Sequence, residues 1–202
     1  MKKVILAVCF VFICSTVSFA EGQDLLIDDF EGSITSGPDG TVDYGAGGGS
    51  SVTVSAGKDI KYSGAQSLKV EYDAVSGGYM WIARGFGLDS TNAAWLVKTE
   101  DIDWPKYSAI SFYVYGNDSK ATIVIFKQNT AYEMWRYLFE DNFKGWKKIT
   151  CPLAEFFPRG DWQPDAADKN TNLDFPVKSY QFEPRPEAKG TLYFDSVTLT
   201  AK

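Results

Sequence analysis

Tyr107-Ser108-Ala109-Ile110-Ser111-Phe112-Tyr113-Val114-Tyr115 is the stretch whose reading decides the fold. Its side chains alternate with a period of two, the period of a β-strand. Ile110, Phe112 and Val114 therefore share one face, and Ser111, Tyr113 and Tyr115 share the other. A strand that buries one face ordinarily carries charged or small polar residues opposite. Here two tyrosines stand there, and two readings fit. Either a second layer of loops covers that face, or it is part of a wide concave surface lined with aromatic rings, Tyr113 among them.

The same pattern extends in both directions. Residues 67–72 (SLKVEY) place Leu68, Val70 and Tyr72 on one face and Lys69 and Glu71 on the other. Further strand-like runs lie at 24–31, 51–55, 79–84, 121–128, 132–139, 146–151, 177–183 and 191–200, with a short one at 41–44. Ser63-Gly64-Ala65, Gly77-Gly78, Asn117-Asp118 and Lys144-Gly145 are turn signals between them. Residues 89–105 form the longest irregular piece, closed by Asp103-Trp104-Pro105, and 153–157 read as one helical turn. About ten short strands with almost no helix predict an all-β chain, a two-sheet antiparallel β-sandwich of jelly-roll type. There is no repeat and no low-complexity linker.

The first 20 residues read as a secretory signal peptide. Lys2 and Lys3 precede an apolar run, and Ser18-Phe19-Ala20 is a small-x-small cleavage signal. The remaining 21–202 form one domain, large enough for a real core. The expected destination is the periplasm or the exterior, after cleavage near Ala20. No later segment is long and apolar enough for a membrane helix, so no membrane insertion is expected. Losing Lys2 and Lys3 moves the formal charge from −6 to −8. That argues against nucleic acid and anionic membranes, which need a basic surface. Of three cysteines only Cys151 lies beyond the leader, so no intramolecular disulfide is expected. With no histidine in the chain, Ser-His-Asp and Cys-His catalysis and His-ligated zinc are excluded.

One loop stands out, Phe156-Phe157-Pro158-Arg159-Gly160-Asp161-Trp162-Gln163-Pro164. Trp162 lies between two prolines, where no regular element can run. An aromatic platform beside a guanidinium and a carboxylate is what a sugar site needs. The competing reading is a tryptophan that caps the core from a loop.

Between Asp28 and Leu199 the order of segments resembles the family-11 carbohydrate-binding modules and their relatives. The matching pieces are Asp29-Phe30-Glu31-Gly32, Asp103-Trp104-Pro105-Lys106-Tyr107, Glu133-Met134-Trp135, Gly145-Trp146-Lys147-Lys148-Ile149, Asp161-Trp162-Gln163-Pro164, Ser179-Tyr180-Gln181-Phe182 and Phe194-Asp195-Ser196-Val197. Each piece alone is weak, and the order is what carries the likeness. The resemblance implies a galactose-binding-like jelly roll that binds β-1,4 or mixed β-1,3-1,4 glucan in a concave cleft without catalysis. It implies ligand roles for Arg159 and Trp162, and cleft positions for Tyr44, Tyr79 and Gln181. Gly77 stands where the family's cleft carboxylate is expected and Pro184 where a further tyrosine is expected, which implies a cleft of the same design with an altered ligand. The resemblance also implies a structural calcium tying the first strand to the last. Asp29, Glu31 and Asp195 would be its carboxylates, with carbonyls from the 61–64 loop.

The leading expectation is therefore a binding protein in which Tyr44, Tyr79 and Trp162 stack on sugar faces while Arg159, Asp161 and Gln181 bond hydroxyls. Three rings at about 0.5–1.5 kcal/mol each and one charged hydrogen bond at about 1.5–3 kcal/mol predict weak, sub-millimolar affinity. Its partner would be a β-glucan or related polysaccharide, with a secreted glycoside hydrolase or an envelope protein as a possible associate. Two other classes compete with it. A β-sandwich glycosidase needs two carboxylates at a set separation, and the Glu-x-Asp-x-x-Glu pattern of sandwich glucanases is absent. An envelope structural or assembly protein would use the same sandwich face for protein contacts.

Overall fold

The computed structural model describes residues 22–129 and 132–202, leaving the side chains of 124–129 aside. The leader of residues 1–20 and its cleavage site lie outside the described residues. Twelve strands follow one another among the described residues: β1 (Leu25–Asp28), β2 (Asp43–Gly47), β3 (Ser51–Gly57), β4 (Ser67–Ala74), β5 (Tyr79–Gly85), β6 (Tyr107–Asn117), β7 (Thr122–Asn129), β8 (Met134–Glu140), β9 (Lys144–Pro152), β10 (Phe157–Pro158), β11 (Val177–Pro184) and β12 (Ala188–Ala201). The expected helical turn is a 3-10 turn at Leu153–Glu155, and two more, Thr99–Asp101 and Trp104–Lys106, lie in the long irregular segment. The two-residue β10 ends at Pro158, and the stretch from Arg159 to Pro164 that holds Trp162 carries no regular element, as its flanking prolines predict.

All pairings are antiparallel and build two sheets. One runs β3-β4-β12-β6-β9, with β1 added on β12, and the other runs β10-β8-β7-β11-β5-β2. β12 is long enough to take two partners in turn on one side. Its first half pairs with β4 through Phe194, and its second half pairs with β1 from Val197. The changeover is a bulge at Ser196, whose φ is +48°.

Alternation along each strand makes the core. Ile110, Phe112 and Val114 of β6 and Leu68, Val70 and Tyr72 of β4 point inward from the first sheet, as their spacing predicts. Tyr180 and Phe182 of β11 and Met80 and Ile82 of β5 meet them from the second. Phe182 stacks on Phe194 with centroids 3.9 Å apart and meets Phe112 edge-on at 5.1 Å, so three rings from two sheets close the centre. Each such side chain contributes roughly 1.5–3 kcal/mol on burial.

Candidate functional site

The sugar-site question turns on the outward face of the second sheet. Tyr180 and Phe182 fill the core, so their neighbours Gln181 and Glu183 must point the other way. On β5 the buried Met80 and Ile82 likewise leave Tyr79, Trp81 and Ala83 outward. These side chains line a groove of about 570 Å³ together with Asp43 of β2, residues 87–89, Met134 of β8, and Arg159, Trp162 and Pro164.

The far wall is held by hydrogen bonds to β8. β10 pairs with β8 through Phe157 and Pro158, and the Arg159 N–H donates to the Met134 carbonyl at 2.8 Å. The Gln163 side chain closes the loop. Its Oε1 accepts the Met134 N–H at 2.8 Å, and its Nε2 donates to the carbonyls of Met134 and Arg159 at 2.9 Å each. Arg159 and Trp162 are thus presented from a pinned loop, with the guanidinium 5.5 Å from the indole centroid. Trp162 is 55% exposed, which a core cap would not be.

Asp161 does not line the groove. It accepts from Arg159 Nε at 3.1 Å and Nη2 at 3.2 Å, and pairs with Arg136 as well. Partial burial would raise its pKa. The Arg159 hydrogen bond, its own amide and the two guanidinium charges outweigh that and hold it at about 2. Asp161 therefore orients Arg159 instead of offering free oxygens.

Of the residues expected in a cleft, Tyr79, Arg159, Trp162 and Gln181 come together here. Tyr44 does not. It pairs across from Ile82 and shares its inward face, packing on the core. Tyr113 does not either, because β6 belongs to the opposite sheet. There Tyr62, from the 58–66 loop, stacks on it with centroids 3.4 Å apart. The loop covering accounts for Tyr113, while Tyr115 packs edge-on against Trp146 of β9 and Tyr193 of β12.

Sequence reasoning missed Trp81, Asp43 and Glu183. Trp81 stands two residues after Tyr79 in the strand 79–84, and that spacing alone puts both rings on one face. The Trp81 indole N–H donates to Asp43 Oδ1 at 2.8 Å, while Asp43 Oδ2 accepts the Asp89 N–H at 2.9 Å. Asp43 thus fixes both the indole and the loop at that end. Burial pushes the Glu183 carboxyl up, against the pull of Arg159 and Arg185.

The acids expected to hold calcium do other work. The Ala65 N–H donates to both Glu31 oxygens at 2.9 and 3.1 Å. Asp195 accepts the N–H groups of Tyr62 and Ser63 and the hydroxyls of Ser63 and Ser196. Asp29 accepts the Glu31 N–H. The 58–66 loop turns N–H groups toward Glu31 and Asp195, and these donors already engage the oxygens a cation would need. Glu31 and Asp195 brace that loop to the strand ends.

A different set could hold a metal ion. Carboxylate oxygens of buried Glu133, exposed Asp168 and half-buried Asp174 lie within 4.8 Å of one another. Asp168 and Asp174 bound the run Asp168-Lys169-Asn170-Thr171-Asn172-Leu173-Asp174, with an oxygen-bearing side chain at every second position. EF-hand-type calcium loops open with this spacing, although Leu173 stands where theirs has glycine. The alternation of oxygen-bearing side chains over 168–174 is the signal in the sequence that points to this cluster.

A family model described as carbohydrate binding domain (family 11) matches residues 15–202. No curated protein matches the chain. Among solved structures, the family 11 module of the cellulosomal cellulase Lic26A-Cel5E of Clostridium thermocellum is similar, at 22% identity and a TM-score of 0.69, covering 91% of this chain and 97% of that one. A family 11 module from the same organism, in complex with a β-1,3-1,4-mixed-linked tetrasaccharide, gives 23% identity and a TM-score of 0.66 over 88% of this chain and 95% of that one. A β-1,2-glucanase from Parabacteroides distasonis is similar at 15% identity and a TM-score of 0.57, over 87% of this chain and 25% of its own. At these identities the structural likeness speaks for the jelly-roll fold.

Proposed function

The chain belongs to the family 11 carbohydrate-binding domains, a non-catalytic family, and from that premise we propose that it binds a neutral β-1,4 or mixed-linkage β-glucan in the groove of the second sheet. The observation that carries this reading is the convergence of Tyr79, Trp81 and Trp162 with Arg159, Gln181 and Glu183 along one groove. Rings give apolar platforms for pyranose faces, and the guanidinium, amide and carboxyl bond hydroxyls. The mixed-linkage ligand of the similar Clostridium thermocellum module supports the choice of glucan. Acidic Asp43, Asp89 and Glu183 beside the rings disfavour polyuronates. Export by the N-terminal leader would bring the domain to such polysaccharides, alone or beside a secreted glycoside hydrolase.

We also assign calcium to the Glu133, Asp168 and Asp174 cluster, whose hard carboxylate oxygens suit that ion. It would tie the 168–174 loop to the residue preceding β8 and so steady the strand on which the Trp162 loop is pinned.

The test is a panel of soluble β-glucans and uronate polymers run in affinity gels with wild type and Trp162→Ala. Retardation by β-glucan, lost or much weakened in the variant at an unchanged melting temperature, is the expected result. Wild type retarded by no glycan sinks the reading and favours a protein-binding role for the same face. Release of reducing sugar would overturn binding without catalysis.

A further inference from the structure

Two glycines of the edge strand have no backbone reason to be glycine. Gly45 and Gly47 lie in β2, and neither has a φ in the left-handed region, unlike Gly48 and Gly49 in the turn that follows. What excludes a side chain is an aromatic ring. A Cβ on Gly45 would fall 2.5 Å from Cη2 and 2.6 Å from Cζ2 of Trp81, and one on Gly47 would collide with Cζ and Oη of Tyr79. Gly45 pairs directly with Trp81 and Gly47 with Tyr79, so each ring lies down across its cross-strand glycine. The two ring planes are within 12° of each other, with centroids 6.2 Å apart. Tyr79 remains 57% exposed, so the rings cover the glycines while staying open to solvent.

We infer that Gly45 and Gly47 are positioning residues that let Tyr79 and Trp81 form one flat shelf, built to take two consecutive β-1,4-linked pyranoses. The inference rests on the glycan-binding reading and narrows it. A β-1,4 link joins two equatorial positions across the ring and keeps neighbouring sugars in a flat ribbon, which two near-parallel rings at the edge of the sheet can meet together. A β-1,3 link bends the chain and lifts the second sugar from the shelf. The shelf is held rigid at its Trp81 end, because Asp43 fixes the indole. Rings over edge glycines also protect a sheet edge without any ligand. That role alone predicts that a larger residue at 45 or 47 leaves glycan binding untouched.

The two explanations separate in a calorimetric titration of wild type, Gly45→Val and Gly47→Val with cellotetraose, laminaritetraose and a mixed-linkage tetrasaccharide. Valine suits an extended edge strand, so the variants are checked by thermal melting and then titrated. Cellotetraose should bind wild type more tightly than laminaritetraose. Each valine should lower cellotetraose affinity about 2- to 12-fold, the span of one aromatic contact. If either variant melts early, Trp81→Ala and Tyr79→Ala replace it, with the same loss expected. Cellotetraose bound by the altered proteins as by wild type, or laminaritetraose bound equally well by wild type, overturns the shelf while leaving glycan binding standing. Wild type that binds no oligosaccharide removes both.

Discussion

Asp28 and Arg84 form a buried two-pronged ion pair that joins the sheets, with Nε at 2.7 Å from Oδ2 and Nη2 at 2.9 Å from Oδ1. Asp28 ends β1 in one sheet and Arg84 lies on β5 in the other. Tyr180 of β11 adds its hydroxyl to Asp28 Oδ2 at 2.8 Å, and Arg84 also reaches the Thr41 carbonyl. Asp28 is fully buried, and these donors satisfy both of its oxygens. Burial first, and then the Asp28 charge, push the Tyr180 phenol well above its usual range, and it remains a donor.

Removing one partner leaves the other charge stranded. Arg84→Met should cost about 3–5 kcal/mol in urea unfolding. Adding Asp28→Leu to Arg84→Met should recover part of that loss, since an apolar pair carries no desolvation penalty. A single variant that unfolds at the wild-type midpoint would show that the pair contributes nothing.

The two carboxyls nearest Arg159 titrate in opposite directions, which gives a pH signature. Asp161 sits at about 2, below its unfolded value of 3.8. Its contribution to stability is present above that unfolded value and is lost as pH falls through about 2. Glu183 is raised above its unfolded value of 4.5, chiefly by burial. Its protonated form suits the fold, so its contribution is present below 4.5 and is lost as pH rises through the folded value. Ionising Glu183 as pH rises is therefore a liability. Glu183→Gln should melt higher than wild type at pH 7, and the gap should close as pH falls toward 4.5. A gap of constant size from pH 7 to 4 would refute this account.

The fold was legible because β-strand alternation is local. Leu68, Val70 and Tyr72 or Ile110, Phe112 and Val114 announce their inward face from spacing alone. Which sheet a strand joins is not local, and that is where the site residues divided. Tyr113 carries the same outward signal as Trp81, yet β6 lies in the opposite sheet, where Tyr62 covers it. Tyr44 sits in a glycine-rich strand of the right sheet, but the register that pairs it with Ile82 turns it inward. One residue of register exchanges the two faces. Arg159 and Trp162 came through because their loop has its own chemistry, independent of register. Asp29, Glu31 and Asp195 looked like metal ligands because acidity is visible in a sequence, whereas the N–H groups that engage them are not.

The Glu133, Asp168 and Asp174 cluster yields the last prediction. Like charges within 4.8 Å repel, and the Asn170 side-chain amide, 2.8 Å from Asp168 Oδ2 and 3.4 Å from Asp174 Oδ2, relieves that only in part. Glu133 is buried, accepts the Trp135 indole N–H at 3.0 Å, and immediately precedes the strand that carries the Trp162 loop. A divalent ion would neutralise the repulsion and favour the folded state alone. Calcium at about a hundred times its dissociation constant should then add about 2.7 kcal/mol of stability, and chelator should remove it. Asp174→Asn should weaken that response strongly, whereas Asp195→Asn should leave it in place while loosening the 58–66 loop. Differential scanning fluorimetry of wild type and both variants, with calcium and with chelator, measures this directly. A calcium response that persists in Asp174→Asn and disappears in Asp195→Asn would move the ion to the strand ends, and no response in wild type would dismiss it from both places.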